Sequence, residues 1–410
     1  MAAAKEIIFN IIDSLQEEMI ELQRKLTSIP AIAPESGGSG ETDKARMLEE
    51  HLKSLSLGTI DHFDACDARV PSGVRPNIIL SAAGKQAGKK LWIMTHTDIV
   101  PPGEAMQWQS DPYKLVIKDG KIIGRGVEDN QQSLVASIYA LAALQKAGVQ
   151  PARDIKLLFV ADEETGSEYG VKYLVKNHRD LFSTGDLALV PDAGRPDSSM
   201  IEVAEKSILW LRVHTTGLQI HASLAPEGRN AFVAASEMAV ALYNLKDKFD
   251  LKNNIFEPPV STISPTKKEA NIPNINTIPG DDVFYVDCRI LPEIGIDPVF
   301  NAIKDIAAAI EKKYGVKVDF EIVQKEASPP TPADSAIVGM IQSAVKTVYG
   351  TTAVPMGIGG GTVAAHLRRE GIHTAVWSTI ESFAHMPNET CLVKNMVGDA
   401  KVMALLMIGE

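Results

Sequence analysis

A histidine and an aspartate one residue apart, His96-Thr-Asp98, close the apolar run Leu91-Trp-Ile-Met94. Four later segments carry side chains of the same chemical type. They are Gly124-Arg-Gly-Val-Glu-Asp129, Asp162-Glu163-Glu164, Asp192 after Val190-Pro191, and His385 in Ser382-Phe-Ala-His-Met-Pro-Asn388. Imidazole nitrogens and carboxylate oxygens are ligands for zinc and similar divalent metals. His96 would offer one ring nitrogen to a metal while Asp98 orients the other. Adjacent side chains diverge, so of Glu163 and Glu164 one can bind metal while its neighbour faces a reacting water as general base.

Each segment also has a plainer reading. Asp129 can cap the helix that follows it, and Glu128 beside it can be a surface charge. Asp162 to Glu164 can be the solvated, acidic start of a helix, Asp192 a turn residue and His385 a structural histidine. Position favours the metal reading: the segments at His96, Asp129, Asp162 to Glu164 and Asp192 each follow or close a short stretch legible as a strand. Strands of one sheet deliver the residues at their ends to a common edge, where α/β sheets bind ligands.

The elements that would do this alternate along the chain. Lys5 to about Ser28 is helical in pattern, with Pro30, Pro34 and Gly37-Gly-Ser-Gly40 marking a loop, and Asp43 to Leu57 reads as a second helix. Asn77 to Ser81, Lys90 to Met94, Ile155 to Val160 and Leu187 to Val190 read as buried strands. Leu134 to Lys146 is an Ala- and Leu-rich helix ending at Gly148, and Gly170 to Asn177 begins another. Strands alternating with helices predict an α/β domain with a largely parallel sheet.

Around Glu202 the rhythm changes. Leu209 to Thr215, Asp282 to Ile290 and Val316 to Val323 read as strands, Ala231 to Leu245 and Val299 to Tyr314 as helices, with one more strand near Ser261 to Ser264. This β-α-β-β-α-β order is the split βαβ arrangement. After Pro329-Pro330-Thr-Pro332 an α/β pattern resumes. The expected organisation is therefore a first domain in two parts, residues 1–201 and 325–410, with residues 202–324 inserted.

Bulk properties narrow the functional classes. A chain of 410 residues exceeds one ordinary core, and 45% apolar with 23% charged residues describes a folded protein. The net charge of −11 argues against nucleic acid as the main partner. Cys66, Cys288 and Cys391 form no CxxC pair, which fits a reducing compartment. The N-terminal pattern from Met1 lacks the apolar core of a signal peptide, and no stretch approaches a membrane span. The expected location is the cytoplasm. Gly84 to Lys89 has the wrong spacing for a phosphate loop.

In this order the segments resemble the M20 family of metallopeptidases and amidohydrolases, the group of aminoacylase, succinyl-diaminopimelate desuccinylase and acetylornithine deacetylase. The likeness spans essentially the whole chain. It rests on His96-Thr-Asp98, Gly124 to Asp129, Asp162-Glu-Glu-Thr-Gly166, Asp192, Gly217…His221-Ala…Gly228-Arg-Asn230-Ala and His385. The resemblance implies a zinc-peptidase-like catalytic domain and an inserted α+β, ferredoxin-like dimerisation or lid domain that makes a homodimer. It implies two zinc ions, with cobalt or manganese as substitutes. His96 and Asp192 would hold one, Glu164 and His385 the other, and Asp129 would bridge them through a carboxylate aimed by a cis peptide to Asn130. Asp98 would brace His96, Glu163 would be the general base and His221 an oxyanion donor.

A substrate signature accompanies these. Asn276-Thr-Ile-Pro279 with Asp287-Cys-Arg289 matches the family's N-x-I-P…D-x-R segment. Arg289 would grip a substrate carboxylate, with Asn276 assisting. Gly359-Gly-Gly-Thr362 resembles the family's glycine loop, so Gly360, Gly361 and Thr362 would approach the substrate. Three positions depart from the usual pattern. Asn130 with Gln131-Gln132 replaces a common Asp-Lys, Val363-Ala364 follows the glycine loop, and Asp192 stands where many deacylases carry Glu. The last is the form more usual in aminopeptidases and dipeptidases. The expected activity is hydrolysis of an amide next to a free amino-acid carboxylate. N-acyl amino acid deacylation leads, dipeptidase or aminopeptidase action is the alternative, and a non-catalytic metal-binding relative is a third.

Overall fold

A computed structural model describes residues 2–410, with side chains from residue 4 onward. The chain divides into two compact units. One comprises the residues up to Val203, Thr331–Pro355 and His366–Glu410; the other comprises Ala204–Pro330 and Met356–Ala365.

The first unit is built on an eight-stranded sheet. In spatial order its strands are Thr59–His62, Ile78–Ala82, Arg153–Val160, Gln86–His96, Leu187–Val190, His373–Val376, Met200–Glu205 and Val354–Ile358. The middle four, from Arg153–Val160 to His373–Val376, run parallel. Parallel strands covered on both faces need apolar side chains at every position rather than at alternate ones. Leu91 to Met94, Leu157 to Val160 and Leu187 to Val190 are buried without a break. Each such side chain contributes about 1.5–3 kcal/mol through the water it leaves. Helix Gln131–Lys146 is buried from Gln131 to Leu144 and packs against Val393–Ile408. The α/β fold class with its mostly parallel central sheet agrees with the expectation.

The N-terminal helical pattern is two helices, Ala2–Ser14 and Gln16–Thr27, which meet at Leu15. Helix Gln131–Lys146 begins three residues before the apolar pattern does, because Gln131 to Ser133 are themselves buried. A small antiparallel sheet of Val116–Lys118, Lys121–Ile123 and Thr390–Leu392 was not legible in the sequence. Its strands have three residues each, too few to show a periodicity, and Thr390–Leu392 pairs with Lys121–Ile123 across more than 260 positions.

The second unit has the β-α-β-β-α-β order: Ser207–Thr216, Ala231–Asn244, Thr262–Lys268, Asp281–Ile290, Ile296–Tyr314 and Lys317–Glu326. The sheet is antiparallel throughout, with Asp281–Ile290 and Ser207–Thr216 in its centre. Leu209, Leu211 and Val213 point into the core beside the two helices, and Trp210, Arg212 and His214 point away. This is the period of two that half-covered strands require. Residues Met356–Ala365 join this unit through bonds such as Lys206 N–H to the Ile358 carbonyl and Gly357 N–H to the Ile255 carbonyl.

Candidate metal centre

Parallel strands of the first unit bring their C-terminal ends to one edge. His96 ends Gln86–His96, Asp162 to Glu164 follow Arg153–Val160, and Asp192 follows Leu187–Val190. Asp129 precedes helix Gln131–Lys146, and its peptide bond to Asn130 is cis. His385 arrives on the loop before Thr390–Leu392 with a left-handed backbone, φ 64°.

These side chains converge. His96 Nε2 is 2.9 Å from Asp129 Oδ1 and 3.4 Å from Asp192 Oδ1. His385 Nε2 is 3.2 Å from the other Asp129 oxygen and 2.9 Å from Glu164 Oε2. Asp129 thus presents one oxygen to each histidine. Ligand atoms of His96, Asp129 and Glu164 lie within 4.8 Å of one another, as do those of His96, Glu163 and Asp192. Asp98 braces the group: its side chain is 3.4 Å from His96 Nδ1 and accepts the backbone N–H groups of Glu163 and Glu164 at 3.1 and 3.0 Å.

The electrostatics call for a cation. Asp98, Asp129, Glu163, Glu164 and Asp192 crowd two imidazoles. Burial opposes charge on His96, yet hydrogen bonds to Asp129, Asp192 and Asp98 hold its imidazolium well above the ordinary range. Hydrogen bonds to Asp129 and Glu164 push His385 up to about 10. Burial and the charges of Asp192, Asp129 and Asp98 raise the Glu163 carboxyl well above its ordinary value. A divalent ion answers the same excess of negative charge, and this mixed nitrogen and oxygen donor set fits one.

Several residues that organise the centre have no signal in a single sequence. Buried Arg75 donates to Glu41, lies 3.5 Å from Asp67 and 3.4 Å from Asp162, and so fixes the turn before Glu163. Asp162 is no ligand. It accepts from Tyr169 N–H at 3.0 Å and from the Thr165 hydroxyl, and no helix starts there. Glu128 is buried rather than a surface charge, and Glu389 is buried as well. Gly126, at φ 85°, lies where a Cβ would come within 2.6 Å of Ile99, so the segment before Asp129 needs a glycine. Asn130 ties Asp192 to the segment after Asp129: its amide donates to Asp192 and to the Pro191 carbonyl.

The remaining candidates lie in the second unit, in two clusters. His221 pairs with Thr277 in a two-stranded ribbon, and Ala222 N–H donates to the Asn276 carbonyl. Ser223 N–H donates to His221 Nδ1 at 3.2 Å, which leaves the proton of a neutral ring on Nε2. Arg289 is paired bidentately with Asp287, donates to the Gly359 carbonyl at 3.0 Å and lies over the Trp210 ring. Thr362 donates through N–H and hydroxyl to Glu205; Gly360 leaves open space beside it, while a Cβ on Gly361 would touch Glu205 and Ile208.

Fold and site together define a metal-dependent hydrolase. The chain belongs to peptidase family M20/M25/M40, whose model matches residues 92–408. An uncharacterized metallohydrolase of Methanococcus maripaludis is 40% identical over 411 residues, covering 95% of this chain and 98% of the relative. A succinyl-diaminopimelate desuccinylase of Alkalilimnicola ehrlichii is 26% identical over 383 residues, covering 91% and 93%. The crystal structure of aminopeptidase PepT from Bacillus cereus shares the fold at a TM-score of 0.77 and 19% identity, over 96% of this chain and 98% of that one. Among the described residues no helix is long and apolar enough to cross a membrane.

Proposed function

We propose that this chain is a two-metal amidohydrolase that cleaves an amide adjoining a free amino-acid carboxylate, with N-acyl amino acids as its substrates. The observation that carries this reading is Asp129, whose two oxygens face His96 and His385 separately. His96 and Asp192 would hold one ion and Glu164 and His385 the other, with Asp129 shared. Bound there, two zinc ions (or cobalt or manganese) supply Lewis acidity for water activation and carbonyl polarisation.

The protein's own groups do the rest. Glu163 lies beside His96 and Asp192 yet carries no hydrogen bond of its own to a metal-site histidine, which leaves its carboxylate for a base that takes a proton and returns it to the leaving amine. Asp98 holds His96 by its Nδ1 side, which leaves Nε2 for the metal. His221 Nε2–H would donate to the developing oxyanion. Arg289, with Asn276 and the Gly360-Gly361-Thr362 segment, would receive the substrate carboxylate. Pairing with Asp287 fixes the guanidinium plane for that task.

Similarity to a succinyl-diaminopimelate desuccinylase over nine-tenths of both chains supports the deacylase reading. Asp192 favours a second one, a dipeptidase or aminopeptidase. Amine release from a mixed panel of N-succinyl and N-acetyl amino acids and dipeptides separates them. The protein is stripped of metal and assayed with and without zinc, cobalt or manganese. Metal-dependent release from the acyl substrates is expected; release from dipeptides alone transfers the assignment to the second reading. We also propose a cytoplasmic homodimer that pairs through the second unit, whose helix Ala231–Asn244 exposes Phe232, Val233, Val240 and Tyr243.

A further inference from the structure

Two buried glutamates that bind no metal in this reading hold the metal loops by exchange. Glu128 precedes Asp129, yet its carboxylate reaches across to the other loop. One oxygen accepts Glu381 N–H at 2.6 Å, and the other accepts Phe383 N–H and, at 3.0 Å, Ala384 N–H. These are the peptides leading into His385. Glu389, four residues after His385, reaches in the opposite direction. Its oxygens accept Gly126, Glu128 and Asp129 N–H at 2.9, 2.9 and 3.0 Å.

Arg125 closes the exchange. It donates to Glu389 at 2.7 Å and to the His385 carbonyl at 3.4 Å. Glu128 and Glu389 are 3% and 1% exposed, so no water competes for these donors at the surface. The two segments lie more than 250 residues apart in the chain, and each is irregular. A loop has no neighbouring strand or helical turn to satisfy its N–H groups. Here the missing acceptors come from the opposite loop. A carboxylate with two or three N–H donors makes strong, charge-assisted bonds of fixed direction.

We infer that Glu128 and Glu389 form a reciprocal clasp that positions His385 against Asp129 and so sets the affinity of the ion shared by Asp129, Glu164 and His385. Both are positioning residues, and the inference rests on the two-ion reading above. The arms of the clasp are unequal. Glu128 holds only the segment leading to His385. Glu389 holds the N–H of Asp129 itself, which both ions share.

Stepwise zinc binding to the full chain, measured in competition with a chromophoric chelator, reads this out. His385→Ala marks which step belongs to the second ion. Glu128→Gln is expected to weaken that same step by about 10–100-fold and to leave the other within about threefold, the range known for groups that orient metal ligands. Glu389→Gln should weaken both steps. Equal loss at both steps in Glu128→Gln, or no loss at either, overturns the clasp. If Glu128→Gln does not fold, Glu128→Asp keeps the charge, shortens the reach and carries the same expectation. Hydrogen exchange of the zinc-loaded protein adds a readout independent of affinity. Glu128→Gln should speed the Phe383 and Ala384 amides and spare those of Gly126 and Asp129, and a uniform change in both segments overturns the inference. A wild-type chain that saturates with one ion overturns the two-ion reading instead, whatever the exchange rates show.

Discussion

Burial and neighbouring carboxylates give Glu163 its raised proton affinity, and Glu164 beside it points to His385. Adjacent residues with opposite duties are possible because Asp98 ties down both of their backbone N–H groups and so fixes where each side chain starts. Glu163→Gln keeps the volume and removes the proton acceptor, so turnover should fall by about 10²–10⁴-fold. Zinc stoichiometry measured on the same sample should stay at the wild-type value. Loss of an ion would make Glu163 a ligand, which its grouping with His96 and Asp192 within 4.8 Å makes a real competitor. The ligand types were legible because His96, Asp129, Glu164, Asp192 and His385 carry their chemistry in the side chain. Glu128, Glu389 and Arg75 were not, because an acid or a base that serves distant backbone looks like any surface charge until it is buried.

Among the elements, helix Val393–Ile408 is held to the rest of the first unit by a buried polar node as well as by apolar contact. Asp399 accepts Thr379 N–H and the Gln132 amide, each at 3.0 Å, on one oxygen and the Tyr349 hydroxyl at 2.8 Å on the other. Burial nevertheless outweighs these bonds and pushes its carboxyl up to about 6. An acid whose folded value is raised adds stability below its unfolded value near 4, and that contribution is lost as pH climbs through about 6. Asp399→Asn can keep the bonds, since the Tyr349 hydroxyl can turn to accept from the new amide. Relative to wild type the variant should gain up to about 3 kcal/mol between pH 4 and pH 8, read by urea unfolding at both. A difference that does not move with pH would show that Asp399 stays charged at no cost. The strands around this node were legible from their unbroken apolar runs. The helix start at Gln131 was not, because Gln131 to Ser133 are polar by type and buried by tertiary contact.

For the molecule as a whole, the second unit presents apolar side chains that its own core does not use. Val240 is 62% and Tyr243 49% exposed on one helix, and contiguous exposed apolar groups mark association surfaces. Sedimentation of the wild-type chain should give a dimer, and Val240→Glu with Tyr243→Glu should give a monomer with an unchanged far-ultraviolet spectrum. A wild-type monomer at micromolar concentration would remove the pairing proposal.

The alternation of elements, the change of rhythm near Glu202 and the kinds of atoms available to a metal can all be read along the chain. Each of these is written in local periodicity or in side-chain chemistry. The family resemblance further implied a shared Asp129 and the pairing of Glu164 with His385, but the turn-holding part of Asp162 and the crossing of Glu128 and Glu389 between loops appear only in the fold. Those outcomes depend on directions and distances between segments far apart in the chain. Such directions are set by how the sheet edge and its loops close on one another, which no stretch of neighbouring residues encodes.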